Sequence, residues 1–423
     1  MTPPRFRSLS LVRNREGASV SARSELKRGW RVLAGSFLGI GAGVTSLYFY
    51  SLGVFIKPLA ASFGWGRGEA SLGALVGTAC AAIIAIPMGR LVDRFGSRSV
   101  ATASLVLLAA GFASLAGLTS GLGSFLVLTA LLSLLAAGSG PLPYTRLIVA
   151  TFERRRGVAL GIALAGVGFG AILTPALLTP FVAAQGWRAG YLLLATVVAS
   201  AAPLVWWFLR DAARLEAVRA EPTPLAQMVG NSTFQLLAAI FFLASTAILG
   251  SVVQFVPMLM DSGLSPARAG LAAALIGVST IAARLMTGAL LDRFPAFLVA
   301  CGIMAAAALG LVLLALGGVA VALPGALVIG LAVGSEVDLI AFLVGRHFPK
   351  SVYGQFYGAV YAVFLLGAAI GPAVSGYLRE ATGDYRAWLF VAAGLLVLAS
   401  ACALMAALRR QSAGAPSMMA LAE

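Results

Sequence analysis

The sequence predicts an all-α integral membrane protein with twelve transmembrane helices in two pseudo-symmetric six-helix bundles. Three observations predict it: too little charge to face water, apolar runs long enough to cross a bilayer, and an internal repeat. Of 423 residues, 60% are hydrophobic and 11% charged, whereas a soluble domain carries roughly 25% charged residues. Runs 32–55, 70–90, 125–148, 158–182 and 191–209 each approach or exceed the ~20 residues that span the hydrocarbon core as a helix. Backbone groups in lipid must bond within their own segment or in a closed barrel. A barrel needs alternating polar and apolar residues, and 105–116 shows no alternation. Helices remain.

Charged clusters and turn residues divide the chain into twelve spans. Their centres are Gly41, Ala81, Leu108, Leu134, Gly168 and Val198, then Ala244, Gly277, Ala306, Ile329, Leu366 and Leu395. Residues 1–29 read as a disordered basic tail, because they lack an amphipathic period and contain Glu16 and Glu25. Residues 30–209 form the first bundle, 210–233 a linker with Pro222 and Pro224, 234–410 the second bundle and 411–423 a tail. Basic residues crowd the tail and the loops after even-numbered spans: Arg90, Arg94 and Arg98; Arg154, Arg155 and Arg156; Arg210, Arg214 and Arg219; Arg293; Arg346 and Lys350. The positive-inside rule therefore predicts a multi-pass protein of the inner or plasma membrane with both termini cytoplasmic.

The same distribution accounts for most of the net charge of +15. Arginines scattered over loops form no basic stripe, so no nucleic-acid partner is expected. Cys80, Cys301 and Cys402 lie far apart in apolar runs and read as small buried hydrophobes. His347 is the single histidine, which makes no metal site, and no cofactor is implied. Membrane lipid and a small solute are the expected partners, and a monomer the expected state.

The repeat is explicit. Gly89-Arg-Leu-Val-Asp93-Arg94-Phe95 returns as Gly288-Ala-Leu-Leu-Asp292-Arg293-Phe294, 199 residues later. The segment Phe152 to Gly157 is echoed by Phe348 to Gly354, and Trp187-Arg-Ala by Tyr385-Arg-Ala, at similar offsets. Several echoes in one order mark a duplication. Six spans per half make the two copies parallel, with a site expected at the bilayer midplane between them.

Gly89-x-x-x-Asp93-Arg94-x-Gly96-x-Arg98 resembles the signature loop of the major facilitator superfamily, and Gly288-x-x-x-Asp292-Arg293 resembles its copy. Phe152-x-Arg154-Arg155-Arg156-Gly157-x-Ala159-x-Gly161-Ile162-Ala163-x-Ala165-Gly166 resembles the signature of the monocarboxylate transporter family. Gly334-Ser-Glu336-Val-Asp338, followed by Arg346, resembles the tenth helix of bacterial members and of the oxalate–formate exchangers. The resemblance implies a secondary transporter, not an enzyme, that moves a small organic anion by proton symport or anion exchange. It also implies that Gly89, Asp93, Arg94 and Arg98, with Gly288, Asp292 and Arg293, gate the transport path.

Charge at membrane depth costs ~2.5–3.5 kcal/mol even on translocon scales and marks function. Arg284 lies eight residues before Asp292, about 12 Å deep at 1.5 Å per residue. Gly277, Thr280, Thr287 and Gly288 share its helical stripe, which suits protein or a water-filled cavity. Its planar fork matches a carboxylate, and the family places a substrate-binding arginine at this point of the eighth helix. A structural ion pair is the alternative. Glu336 and Asp338 are comparably deep but about 200° apart around their helix, so either is a candidate for proton coupling. Arg146 suits a packing or gating charge better than a ligand. Mammalian-type members carry a first-helix lysine and an aspartate one turn before the arginine; here that lysine is absent and Thr280 stands in the aspartate's place.

Tyr48, Tyr50, Tyr144, Gln254, Tyr357 and Tyr361 lie on helices that line the cavity in the superfamily, and either orient substrate or bond to backbone. Two other functions compete: export of drugs or amphiphiles by the same fold, and a membrane sensor without transport. Intramembrane proteolysis is excluded, because an aspartyl site needs two deep aspartates and a rhomboid-type site a membrane histidine.

Overall fold

The computed structural model describes residues 22–65, 67–210 and 223–413, and the described residues are helical between short turns. The rest of the two tails and most of the linker lie outside the described residues. A short helix, α1 (Ala22–Arg28), leads into the first span, where a disordered tail was expected. That span is α2 (Trp30–Gly41) and α3 (Phe49–Phe63), joined by a π-helical turn over Val44–Tyr48. The break has a cause. Gly43 is extended (φ −82°, ψ 175°), and a Cβ there would strike the Ser139 carbonyl. The Ser139 hydroxyl then accepts from Val44 N at 3.0 Å, satisfying a donor that the broken helix leaves unpaired.

The second and third spans are α4 (Arg67–Phe95) and α5 (Ser97–Leu118), which meet at Gly96 (φ 84°). The fourth joins α6 (Leu122–Leu135) to α7 (Pro141–Thr151) through a 3-10 turn. The stretch α8 (Arg156–Phe208) is two helices that meet at Gly186, whose φ of 83° and ψ of 165° break it into the fifth and sixth spans. After α9 (Leu225–Gly230) come α10 (Ser232–Asp261), α11 (Pro266–Leu291), α12 (Ala296–Gly317), α13 (Ala322–His347), α14 (Tyr353–Thr382) and α15 (Arg386–Ala413). The described residues therefore hold the twelve spans that the sequence predicts. Large apolar side chains such as Ile83 (72% exposed) and Leu177 (65%) point outward from the bundles, as lipid solvation requires.

The duplication is visible in contacts. Trp187 Nε1 donates to Ser62 Oγ at 3.0 Å in the first half, and Tyr385 OH donates to Asp261 Oδ2 at 3.0 Å in the second. Each pair braces equivalent helix ends. Between halves, α4 packs on α14 and the first arm of α8 packs on α11. Glycines set these crossings: a Cβ on Gly89 would meet the Gly354 carbonyl, on Gly358 the Ala85 carbonyl, on Gly157 the Gly288 carbonyl and on Gly161 the Arg284 carbonyl. All four crossings lie within about three turns of the end that carries the arginine-rich loops, the basic end.

Candidate substrate and gating site

Arg284 sits on α11 and is 4% exposed, so it is more enclosed than a cavity-facing residue would be. The helices α11 and α13 are bonded along their crossing. Ser279 Oγ donates to Leu327 O at 2.6 Å, Thr280 Oγ1 to Gly330 O at 3.3 Å, and Thr287 and Ser335 share a hydroxyl bond of 2.7 Å. Gly334 permits the approach, because a Cβ there would meet the Thr280 carbonyl. This register brings Arg284 Nη1 to 2.8 Å from Asp338 Oδ2. The neighbouring helix thus supplies a carboxylate partner to Arg284. Thr280 takes no part in the pair; it bonds to α13 backbone.

Glu336, about 200° around α13 from Asp338, has no bond to Arg284 among the described residues. It is 2% exposed, its Oε1 has no partner among the described residues, and it is within electrostatic reach of Arg284. Arg284 Nε and Asp338 Oδ1 are likewise buried without partners. The ion pair therefore leaves at least the Nε donor of the guanidinium and the Oδ1 acceptor of the carboxylate unused among the described residues.

The tyrosines separate. Tyr357 and Tyr361 on α14 line a cavity of about 50 Å³ together with Val44, Phe49, Ala81, Ser133 and Leu142. The Tyr357 hydroxyl is buried and unpartnered among the described residues, and Tyr361 stacks between Tyr357 and Phe364. Tyr50 is 40% exposed, and it and Tyr361 lie within electrostatic reach of each other and of Arg284. Tyr48 instead donates to Gly73 O at 3.2 Å, the backbone-bonded outcome. Tyr144 is buried with its ring where a Gly39 Cβ would stand. Gln254 donates to Ser375 Oγ at 3.2 Å and braces α10 on α14. Ser133, a lone mid-helix serine among leucines, lines the cavity and is not distinguishable by sequence from a packing residue.

At the basic end two carboxylates cross between halves. Asp93, ending α4, accepts from Gly354 N and Gln355 N at 2.9 Å each, at the start of α14. Asp292, after α11, accepts from Gly157 N at 2.6 Å and Val158 N at 3.1 Å, at the start of α8. Each anion occupies the positive end of a helix in the opposite half. Burial pushes the Asp292 carboxyl up, against the lowering from the Val158 and Gly157 N–H groups. Gly89 and Gly288 let the paired helices close on each other. Arg146, 5% exposed, places Nε 3.2 Å from Asp93 Oδ1 and donates to Val92 O at 3.1 Å.

The other signature arginines do different work. Arg98 stacks on Trp206 and donates to its carbonyl at 3.0 Å, tying the start of α5 to the end of α8. Arg94 lies over the Phe95 ring, and Arg293 is exposed. Further contacts across the seam were not legible in the sequence: Tyr353 OH donates to Thr145 Oγ1 at 3.0 Å, and Arg156 Nη1 to Gly345 O at 3.4 Å. Among the described residues no cluster of histidine, cysteine or acidic side chains is arranged to hold a metal ion.

Comparison with known proteins agrees with this geometry. The family model described as Major Facilitator Superfamily matches residues 38–372. Monocarboxylate transporter 11 from Mus musculus is 31% identical over 399 residues, covering 88% of this chain and 86% of its own length. Monocarboxylate transporter 13 from Bos taurus is 28% identical over 380 residues, covering 88% and 87%. Among solved structures, an outward-facing bacterial homologue of the iron transporter ferroportin superposes with a TM-score of 0.73 at 15% identity, over 89% of this chain and 98% of that one.

Proposed function

The chain belongs to the monocarboxylate transporter family of the Major Facilitator Superfamily, and from that premise we propose that it carries a small organic monocarboxylate by alternating access. The observation that carries this reading is the buried pair of Arg284 and Asp338 at 2.8 Å. Arginine binds a carboxylate best through two parallel bonds. A substrate carboxylate competes with Asp338 for the same fork. A proton taken up by Asp338 leaves a neutral acid in its place and frees the guanidinium for the substrate. Site charge is conserved: one carboxylate replaces another at Arg284. In this reading the proton and the anion travel together in symport, and in exchange one anion succeeds another on Arg284.

Glu336 is the second proton candidate. An ionised carboxylate buried without a partner is costly, and Glu336 has no cation bonded to it among the described residues. Asp338 is assigned the coupling role because it competes directly with substrate. Tyr50, Tyr357 and Tyr361 are assigned to orient the body of the substrate. Asp93, Asp292 and Arg146 hold the basic end shut, and loop charge makes that end cytoplasmic in the cell membrane, so the conformer is closed toward the cytoplasm. The cavity of about 50 Å³ is lined by Tyr357 and Tyr361 but not by Arg284 or Asp338.

Uptake of labelled acetate, lactate and benzoate into proteoliposomes tests the reading. An inward proton gradient is expected to accelerate uptake of at least one of them several-fold. Uptake that ignores the gradient but is driven by internal anion would select exchange over symport. Binding of neutral amphiphiles alone would replace the carboxylate reading with the exporter.

A further inference from the structure

Glu25 on α1 accepts hydrogen bonds from three consecutive backbone N–H groups: Glu153 N at 2.7 Å, Arg154 N at 3.3 Å and Arg155 N at 3.0 Å. These donors form the turn that enters α8. The next donors along the chain, Gly157 N and Val158 N, are held by Asp292 from the opposite half. One helix start is therefore shared by two carboxylates, with Glu25 on the turn before it and Asp292 on its first turn. The backbone N–H groups at a helix N-terminus carry positive partial charge, which lets two anions converge there. Their sites do not overlap.

Packing keeps α1 in place. Gly29 lies so close to the Phe152 ring that a Cβ would overlap it, and Phe152 is fully buried. Leu26 packs against the core. The second half has a related arrangement 198 residues on. There Thr223 N, leading into α9, donates to the Gln355 side chain at 3.0 Å, and Gln355 N is a donor to Asp93. In both halves, then, the segment that precedes the first helix of the bundle touches the helix start that the opposite half latches.

We propose that Glu25 is a positioning residue of the gate: it shapes the turn before α8 so that Gly157 and Val158 present their N–H groups to Asp292, and so it holds the basic end closed. The inference rests on the alternating-access reading. Because Glu25 and the α8 turn belong to one half, their contact orders the turn before the halves meet, so that closure does not bear that ordering cost. Loss of the contact weakens the closed conformer without touching Arg284 or Asp338. A residue from the amino-terminal segment thereby sets the balance between the two conformers of the transporter.

Spin labels at Phe95→Cys and Phe294→Cys, in the full-length chain with Cys80, Cys301 and Cys402 replaced, report the separation of the halves at the basic end. Both positions are more than half exposed. Double electron–electron resonance in proteoliposomes, in acidic and in alkaline buffer, should show a dominant short distance and a minor long one in the parent. Glu25→Ala and the isosteric Glu25→Gln should each raise the long-distance share at least about three-fold. Removal of residues 1–21 should not. Distributions of both Glu25 variants that overlay the parent's would overturn the proposal. A parent with one unchanging distance in both buffers would instead remove alternating access itself, and this proposal with it.

Discussion

Arg284 and Asp338 are both withdrawn from water, and a buried ion pair of this kind resists loss of one partner more strongly than it stabilises the whole. Removing one member leaves the other charge uncompensated, at about 3–5 kcal/mol. Arg284→Ala is therefore expected to abolish binding of an anionic substrate and to lower thermal stability as well. Arg284→Ala combined with Asp338→Ala should recover much of the stability and none of the binding, which separates recognition from folding. Arg284→Lys keeps the charge but not the planar fork, and should bind at least about ten-fold more weakly. Asp338→Asn fixes the neutral state of its site. Parent affinity for the anion should fall as pH rises, because Asp338 then competes for Arg284, whereas Asp338→Asn should bind with a flat pH profile. Calorimetry on purified protein with benzoate measures all four variants. Parent-like binding by Arg284→Ala would end the assignment.

The contacts of α4 with α14, and of α8 with α11, combine glycine crossings with a carboxylate on a helix start. Charge at a helix start is worth up to about 2 kcal/mol when partly buried, enough to shift a two-state population roughly 30-fold. Asp93→Asn keeps the shape of the side chain and loses the charge that faces Gly354, Gln355 and Arg146. It is expected to slow turnover several-fold while leaving substrate affinity nearly intact. Transport assays that resolve maximal rate from KM test this, and a large affinity loss at normal maximal rate would speak against a latch. Arg98 and Arg94 belong to the same sequence signature as Asp93, and Arg94 lies over the Phe95 ring. Arg98 is engaged by Trp206 within its own half.

At the scale of the whole molecule, the arginine-rich loops lie at one end of the bundle, and that end is the closed one. With this end in the cytoplasm, as loop charge implies, a cysteine placed at position 20 should escape an impermeant thiol reagent added outside intact cells. It should react after permeabilisation. Rapid labelling from outside would invert the topology. The Trp187–Ser62 and Tyr385–Asp261 braces repeat the same joint within each half.

Solvent, helix count, repeat and gate signature were legible in the chain alone, since each depends on local composition or on residues close together along it. Scarce charge and long apolar runs dictate lipid as solvent whatever the helices pack against, and Gly89 to Arg98 lies within ten residues. The site needed tertiary structure. Asp338 meets Arg284 across 54 residues, Asp93 meets Gly354 across 261, and Glu25 meets Glu153 across 128. No periodicity encodes which face of α13 turns toward α11. That rotation is set by Gly334 against the Thr280 carbonyl and by Ser335 against Thr287, and it separates Asp338 from Glu336. The same holds for Tyr48, bonded to Gly73, and Tyr361, stacked at the cavity. In sequence they are alike, and only the packing of neighbouring helices gives them different surroundings.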